Sequence, residues 1–146
     1  MPTAETHHGR GIRSFAIVPA AGASRRMGAD KLLLPWRGKA LIDSVIDAWL
    51  ASNVNAVVAV VNPSNEPLIA HLQARNIDVL VPETCPPEMK HSVQHALAAI
   101  AGTYSPHDDD VWLLAPADVP RLSPEVIRKV VERAKQTNKE IIVPVC

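Results

Sequence analysis

Cysteine and net charge are what this sequence most lacks. Two cysteines in 146 residues, Cys85 and Cys146, are too few and too isolated for a disulfide framework or a four-ligand zinc site, which points to a reducing compartment. Fifteen basic side chains balance fifteen acidic ones, so no broad basic field draws the chain onto nucleic acid or an acidic membrane surface, and any anion site must be local. No apolar run approaches membrane-spanning length, and the first residues lack the apolar core of a secretory signal. The expectation is a soluble cytoplasmic protein with neither nucleic acid nor membrane as partner. Aromatic residues make up only 3% of the chain, and Trp36, Trp49 and Trp112 are too scattered for a base-stacking platform. Repeats, linkers and low-complexity segments are also missing.

What is present is enough apolar material for one core. With 47% hydrophobic residues, a chain of this length fits one domain and buries on the order of two thirds of its unfolded surface. Residues 1–13 are polar, with His7, His8, Gly9 and Gly11, and read as a mobile tail before a domain spanning 14–146. Phe15 to Val18 reads as a buried strand, and Lys39 to Ser52, after a Trp36-Arg37-Gly38 turn, carries Leu41, Ile42, Val45, Ile46, Trp49 and Leu50 at helical spacing. Asn55 to Val61 is a β-branched run apolar on both faces, followed by a loop, an N-cap and a helix over 66–75. A third short strand is expected over 77–81, then a helix from Met89 to Ala101 through Met89, Val93, Leu97 and Ile100, stopped by Gly102. Val111 to Ala115 is a fourth strand, Pro124 opens a helix running to about Lys135, and Ile141 to Val145 is a fifth strand. Strands alternating with helices, the strands apolar on both faces, predict an α/β fold: three layers, a mostly parallel sheet with helices on both sides. Ligands then sit at the carboxyl ends of the strands.

That rule singles out a few residues. The first strand empties into Ala20, Ala21, Gly22, Ala23 and Ser24, with Arg25, Arg26 and Lys31 close behind. Side chains no larger than a methyl let backbone N–H groups approach an oxyanion, Ser24 adds a hydroxyl donor, and the cations offset charge. The loop fits neither common phosphate fingerprint: Ser24 stands where a dinucleotide motif needs glycine, and Gly28 is followed by Ala29 and Asp30 rather than Lys-Ser/Thr. Asp118 follows the fourth strand between the stiffening Pro116 and Pro120, a suitable place to hold a divalent cation against a nucleotide phosphate. Other features read as structural. His91 and His95 lack a companion glutamate, Asp108 to Asp110 lack the alternating spacing of a calcium loop, and Cys85 has no paired histidine pattern.

Taken together, Pro-Ala-Ala-Gly-Ala-Ser-Arg-Arg-Met-Gly-Ala-Asp-Lys-Leu-Leu-Leu-Pro over 19–35 and Leu-Ala-Pro-Ala-Asp-Val-Pro over 114–120 resemble the MobA-like NTP transferases, the nucleotidyltransferases that make molybdenum cofactor dinucleotides. Residues 20–31 match the family motif without a gap, and the Ala-Ala-Gly opening and Lys-Leu-Leu-Leu-Pro continuation are similar to the cytidylyl branch. The resemblance implies a Rossmann-like nucleotide-diphospho-sugar transferase fold and transfer of CMP, or GMP, from CTP or GTP to a pterin-type phosphate acceptor, with Mg²⁺ as cofactor. It implies that the triphosphate lies on Ala20 to Ala23 beside Ser24 and Arg25, and that Lys31 contacts the phosphates. It further implies that Asn62 and Glu83 approach base and ribose and that Asp118 binds the magnesium. A sugar-phosphate or other alcohol-phosphate acceptor, or nucleotide binding without catalysis, is compatible with the same residues. Two departures are visible. Glu88-Met89-Lys90-His91-Ser92 stands where the cytidylyl branch has Gly-Met-x-x-Ser, and the chain reaches Cys146 before the Gly-His-Pro segment and the second metal ligand found in relatives, as a C-terminally truncated chain would.

Overall fold

The computed structural model describes residues 11–22, 25–26 and 29–136. The expected fifth strand over 141–145 and all of the expected tail except 11–13 lie outside the described residues. Four parallel strands form the central sheet: β1 (Ser14–Ala20), β6 (Ala56–Val61), β7 (Asp78–Leu80) and β8 (Val111–Leu114), in the order β7-β6-β1-β8. Between β1 and β6 lie two small antiparallel pairs, β2 (Arg25–Arg26) with β3 (Ala29–Asp30) and β4 (Pro35–Trp36) with β5 (Lys39–Ala40), separated by a 3-10 turn over Lys31–Leu33. Both pairs and the 3-10 turn were invisible to periodicity, because a strand of two residues has no period. The β4–β5 hairpin turns through Arg37 and Gly38 at φ +50° and +88°, a left-handed pair that the glycine makes accessible.

Strict alternation divides the core into two halves. Ala16 and Val18 of β1 with Val57, Ala59 and Val61 of β6 face one side, where α1 (Leu41–Ala51), α2 (Glu66–Gln73) and α4 (Pro124–Gln136) cover them. Phe15 and Ile17 with Val58 and Val60 face the other, under Ala96 and Ile100 of α3 (Met89–Tyr104). The result is the expected three-layer α/β sandwich, and burial of each large aliphatic side chain contributes about 1.5–3 kcal/mol.

The helices correct three expectations. In α1, Leu50 is exposed while the other five expected residues are buried, because it stands at the flank of the Ile42–Val45–Ile46–Trp49 stripe in the last turn of the helix. In α3 the buried row is Ser92, Ala96 and Ile100 rather than Met89, Val93, Leu97 and Ile100; Met89 and Leu97 are exposed. Two small side chains in an i, i+4 row let this helix settle closely against Phe15 and Val58, which the larger residues would hold away. Nor does Gly102 stop α3. The helix runs to Tyr104 and ends where Ser105 turns left-handed at φ +48°, the residue before Pro106 being kept out of helical conformation by the proline ring.

Candidate functional site

The chain leaves β7 at one edge of the sheet and returns in β8 on the opposite side of β1, so the strand order reverses at β1 and a crevice opens at the carboxyl ends of β1 and β8. A cavity of about 390 Å³ occupies that crevice. One wall is the end of β1 and its loop, Pro19 to Gly22, with Leu32; the second is Cys85 to Met89 and Ser92; the third is Pro116 to Asp118.

Backbone hydrogen bonds hold the walls in place. Register between β1 and β8 ends at Ile17–Leu114, but the pairing direction continues: Ala115 donates to the Ile17 carbonyl at 3.3 Å and Ala117 to the Pro19 carbonyl at 3.2 Å. Pro19, which has no N–H to donate, still accepts through its carbonyl. Ala117 is buried, so its neighbour Asp118 is pinned by the backbone while its own side chain stays half exposed at the cavity. Behind it, Ser123 Oγ accepts from Val126 N–H at 3.2 Å and Pro124 opens α4, so the segment after Asp118 is capped as its sequence predicts.

On the β1 side, Ala20 and Ala21 are buried and Gly22 is exposed, with no atom of the described residues beyond its chain neighbours within 4 Å of where a Cβ would stand. Backbone is therefore what this loop presents to the cavity. The Cys85 thiol lies 3.8 Å from the Ala21 carbonyl and closes the loop against the second wall. Ala23, Ser24 and the Arg25 side chain lie outside the described residues. Past them, Lys31 is not a lining residue itself, but its ammonium Nζ lies 3.9 Å from Asp118 Oδ2 at the rim. Both side chains are about half exposed, so solvent screens the pair and leaves each group available to a ligand.

The two remaining candidates stand apart. Asn62, just past β6, spends its side-chain oxygen on Ser64, accepting from the backbone N–H at 2.9 Å and from the hydroxyl at 2.8 Å. Glu83 is exposed three residues beyond β7, and neither it nor Asn62 lines the cavity. Lining residues not among the sequence candidates include Leu32, Pro86 and Pro87, together with Glu88, Met89 and Ser92, which the sequence marked only as a departure from the cytidylyl-branch motif. The burial of Ser92 within an otherwise apolar row was a signal only once the facing of α3 was known. Among the described residues, no group of three or more His, Cys, Asp or Glu side chains is arranged to hold a metal ion by itself, and no helix is long and apolar enough to cross a membrane.

Among the described residues, a parallel sheet whose order reverses beside a small-residue loop and the Asp118 carboxylate defines an α/β domain with a crevice at its switch point. Known proteins share both fold and sequence. A 2-C-methyl-D-erythritol 4-phosphate cytidylyltransferase of Ralstonia nicotianae is 35% identical over 127 residues, covering 83% of this chain and 50% of its own. A probable molybdenum cofactor guanylyltransferase of Natranaerobius thermophilus is 28% identical over 130 residues, covering 89% of this chain and 59% of its own. The solved structure of a nucleotidyl transferase from Methanothermobacter thermautotroptrophicus superposes with a TM-score of 0.70 at 25% identity, covering 84% of this chain and 58% of that one. Residues 16–146 match the MobA-like NTP transferase domain, and the chain belongs to that family. It spans between half and three fifths of the length of these relatives.

Proposed function

We propose that this chain carries the nucleotide half of a magnesium-dependent nucleotidyltransferase that moves CMP, or GMP, from CTP or GTP to a phosphorylated acceptor such as molybdopterin. The observation that carries the reading is the meeting, across one cavity, of the Ala20–Gly22 backbone with the Asp118 carboxylate and, at its rim, the Lys31 ammonium. In the reaction, an oxygen of the acceptor phosphate forms a bond to the α-phosphorus in line, the bond from that phosphorus to the bridging oxygen breaks, and pyrophosphate leaves. A phosphate monoester, with its second pKa near about 6, is already ionised at neutral pH, so no general base is needed. The obstacle is the approach of two anions. The amides of Ala20 to Ala23 and the Ser24 hydroxyl donate to phosphate oxygens, while Arg25 and Lys31 offset charge there. Asn62 and Glu83 take the base and ribose side.

The donor set suits magnesium: the exposed Asp118 carboxylate, with room for water and substrate phosphates, is how that ion is commonly held, in contrast to an all-protein cage, while Glu88, the other carboxylate of the lining, is paired with Lys90 at 3.4 Å. Bound by Asp118, Mg²⁺ would neutralise charge developing on the triphosphate.

A second reading, cytidylyl transfer to an alcohol phosphate, is favoured by the relative whose name is 2-C-methyl-D-erythritol 4-phosphate cytidylyltransferase. Melting temperatures with CTP, GTP and ATP, each with and without Mg²⁺, test the nucleotide, since a ligand at a hundred times its Kd stabilises by about 2.7 kcal/mol. Stabilisation by CTP or GTP that requires Mg²⁺ and disappears in Asp118→Ala supports the proposal; the absence of any nucleotide effect rejects it. Pyrophosphate release with a pterin phosphate, compared with 2-C-methyl-erythritol 4-phosphate, then separates the two acceptors.

A further inference from the structure

Asp30 immediately precedes Lys31, and its carboxylate is engaged at both oxygens. Oδ1 accepts from the Leu32 backbone N–H at 2.9 Å, which caps the 3-10 turn over Lys31–Leu33. Oδ2 accepts from Asn65 Nδ2 at 2.5 Å, across 35 residues of sequence. Asn65 is in turn fixed twice: its side-chain oxygen accepts from Leu68 N–H at 3.3 Å, capping α2, and its own N–H donates to the Asn62 carbonyl at 2.9 Å. A continuous line of polar contacts therefore runs from the carboxyl end of β6, through Asn65 and Asp30, to the turn that carries Lys31, and from Lys31 to Asp118 beyond β8.

We propose that the Asp30–Asn65 hydrogen bond is a clasp that positions Lys31, holding its ammonium at the cavity rim and making the strand-end loop at Asn62–Asn65 part of the phosphate site. Two features support the assignment. Lys31 is long, about half exposed and, among the described residues, tethered at its head only by a 3.9 Å ion pair, so its placement depends on the backbone turn beneath it. That turn has a single side-chain cap, and the cap residue is held from outside by Asn65 alone among the described side chains. Asp30 and Asn65 are positioning residues: the clasp bears on ligand binding only through Lys31, and that part of the inference rests on the nucleotide reading above.

A donor–acceptor exchange tests the clasp. Asp30→Asn keeps an oxygen for Leu32 N–H but turns an amide donor toward Asn65. Asn65→Asp keeps an oxygen for Leu68 N–H but sets a second carboxylate against Asp30. The double variant restores the hydrogen bond with its direction reversed. The readout free of nucleotide is the Lys31 ε-carbon resonance in lysine-labelled protein, assigned by Lys31→Arg, with all proteins held below their melting transitions. It moves toward the position of a solvated lysine in each single variant and returns in the double. The second readout is the Kd of the magnesium nucleoside triphosphate, expected to rise about tenfold in each single variant, within the ~10²-fold cost of an ångström of misplacement, and to recover in the double. An unmoved resonance in the single variants, or a double variant no better than they are, overturns the clasp. A resonance that moves while Kd does not overturns its link to binding. If wild-type protein binds no nucleotide, the functional reading fails, and the resonance still decides whether the clasp holds Lys31.

Discussion

Lys31 Nζ stands 3.9 Å from Asp118 Oδ2, so the one cation of the β1 loop region whose side chain is described and the one carboxylate at the end of β8 face each other over the cavity rim. Eighty-seven residues separate them in the chain, and parallel pairing of β8 with β1 brings them together. The pair is screened and weak, and both groups can turn to a ligand at little cost. Replacing Lys31 with alanine is accordingly expected to leave folding stability within about 0.5 kcal/mol, as for other surface substitutions, while lowering turnover by about 10²-fold or more, the cost of removing one preorganised donor. Thermal melts set beside pyrophosphate release separate the two effects, and unchanged turnover removes Lys31 from the phosphate site.

Asp118→Asn keeps the size of the side chain, replaces one acceptor oxygen with an amide donor and removes the charge. Because Ala117, not Asp118, makes the hydrogen bond to Pro19, the local backbone is expected to stay in place. The expected result is an unchanged melting temperature without ligand and loss of the Mg²⁺-dependent part of nucleotide stabilisation. Retention of that increment would mean that the metal is held elsewhere.

Much of this arrangement was legible from composition and period, and the illegible part has identifiable causes. The β-branched run ending at Val61 and the apolar run from Phe15 announced central strands, because residues buried on both faces leave no polar alternation. The Ala20–Gly22 loop and Asp118 were found by asking what lies at strand ends. The second wall was harder, because the facing of α3 is set by which residues are small enough to approach the sheet, so Ser92 reached the cavity and Leu97 did not. Asn62 and Glu83 were placed by the same strand-end rule, yet both stand outside the lining: one is turned into its own loop by Ser64, and the other lies past a strand that stops at Leu80. Neither the Asp30–Asn65 bond nor the Lys31–Asp118 pair has any local signature, since each depends on the packing of distant segments.

At the opposite end of the sheet, Tyr104 donates its hydroxyl to Asp78 Oδ2 at 2.6 Å, tying the last turn of α3 to the start of β7. That hydrogen bond, with burial and the nearby carboxylate charge, pushes the phenol up to about 12. Tyr104 is the only tyrosine in the chain, so tyrosinate absorbance reads it alone. The midpoint is expected near 12 in folded protein and closer to 10 in Asp78→Asn. With its folded pKa raised, this group's stabilising contribution is complete below pH 10 and is lost as pH rises from 10 through about 12. A wild-type midpoint near 10 would dismiss the bond.

Acid stability should depend on Asp110, whose side chain is only 1% exposed. Burial alone would raise its carboxyl, but the His107 and Arg13 backbone N–H groups, at 2.8 and 3.0 Å, and the Arg13 guanidinium at 3.4 Å outweigh it and hold the pKa below the ordinary 3.8. These contacts join the start of β1 to the turn before β8, beside the Val111 N–H that donates to the Arg13 carbonyl at 2.8 Å. A depressed folded pKa means that the contribution is fully present above the unfolded pKa, near about 4, and is lost as pH falls through the lower folded value. Asp47, lowered in the same direction against its own burial by Lys39 and Arg75, adds to the same acid loss from the α1 side. Melting temperature is therefore expected to be flat from pH 7 to about 5 and to fall steeply below about 4. Asp110→Asn should lower folding stability on the plateau by about 1–3 kcal/mol, the range for disturbing a buried charged acceptor, and with it the melting temperature there, and make the acid limb shallower. An acid limb as steep in Asp110→Asn as in wild type would assign the loss to other carboxylates.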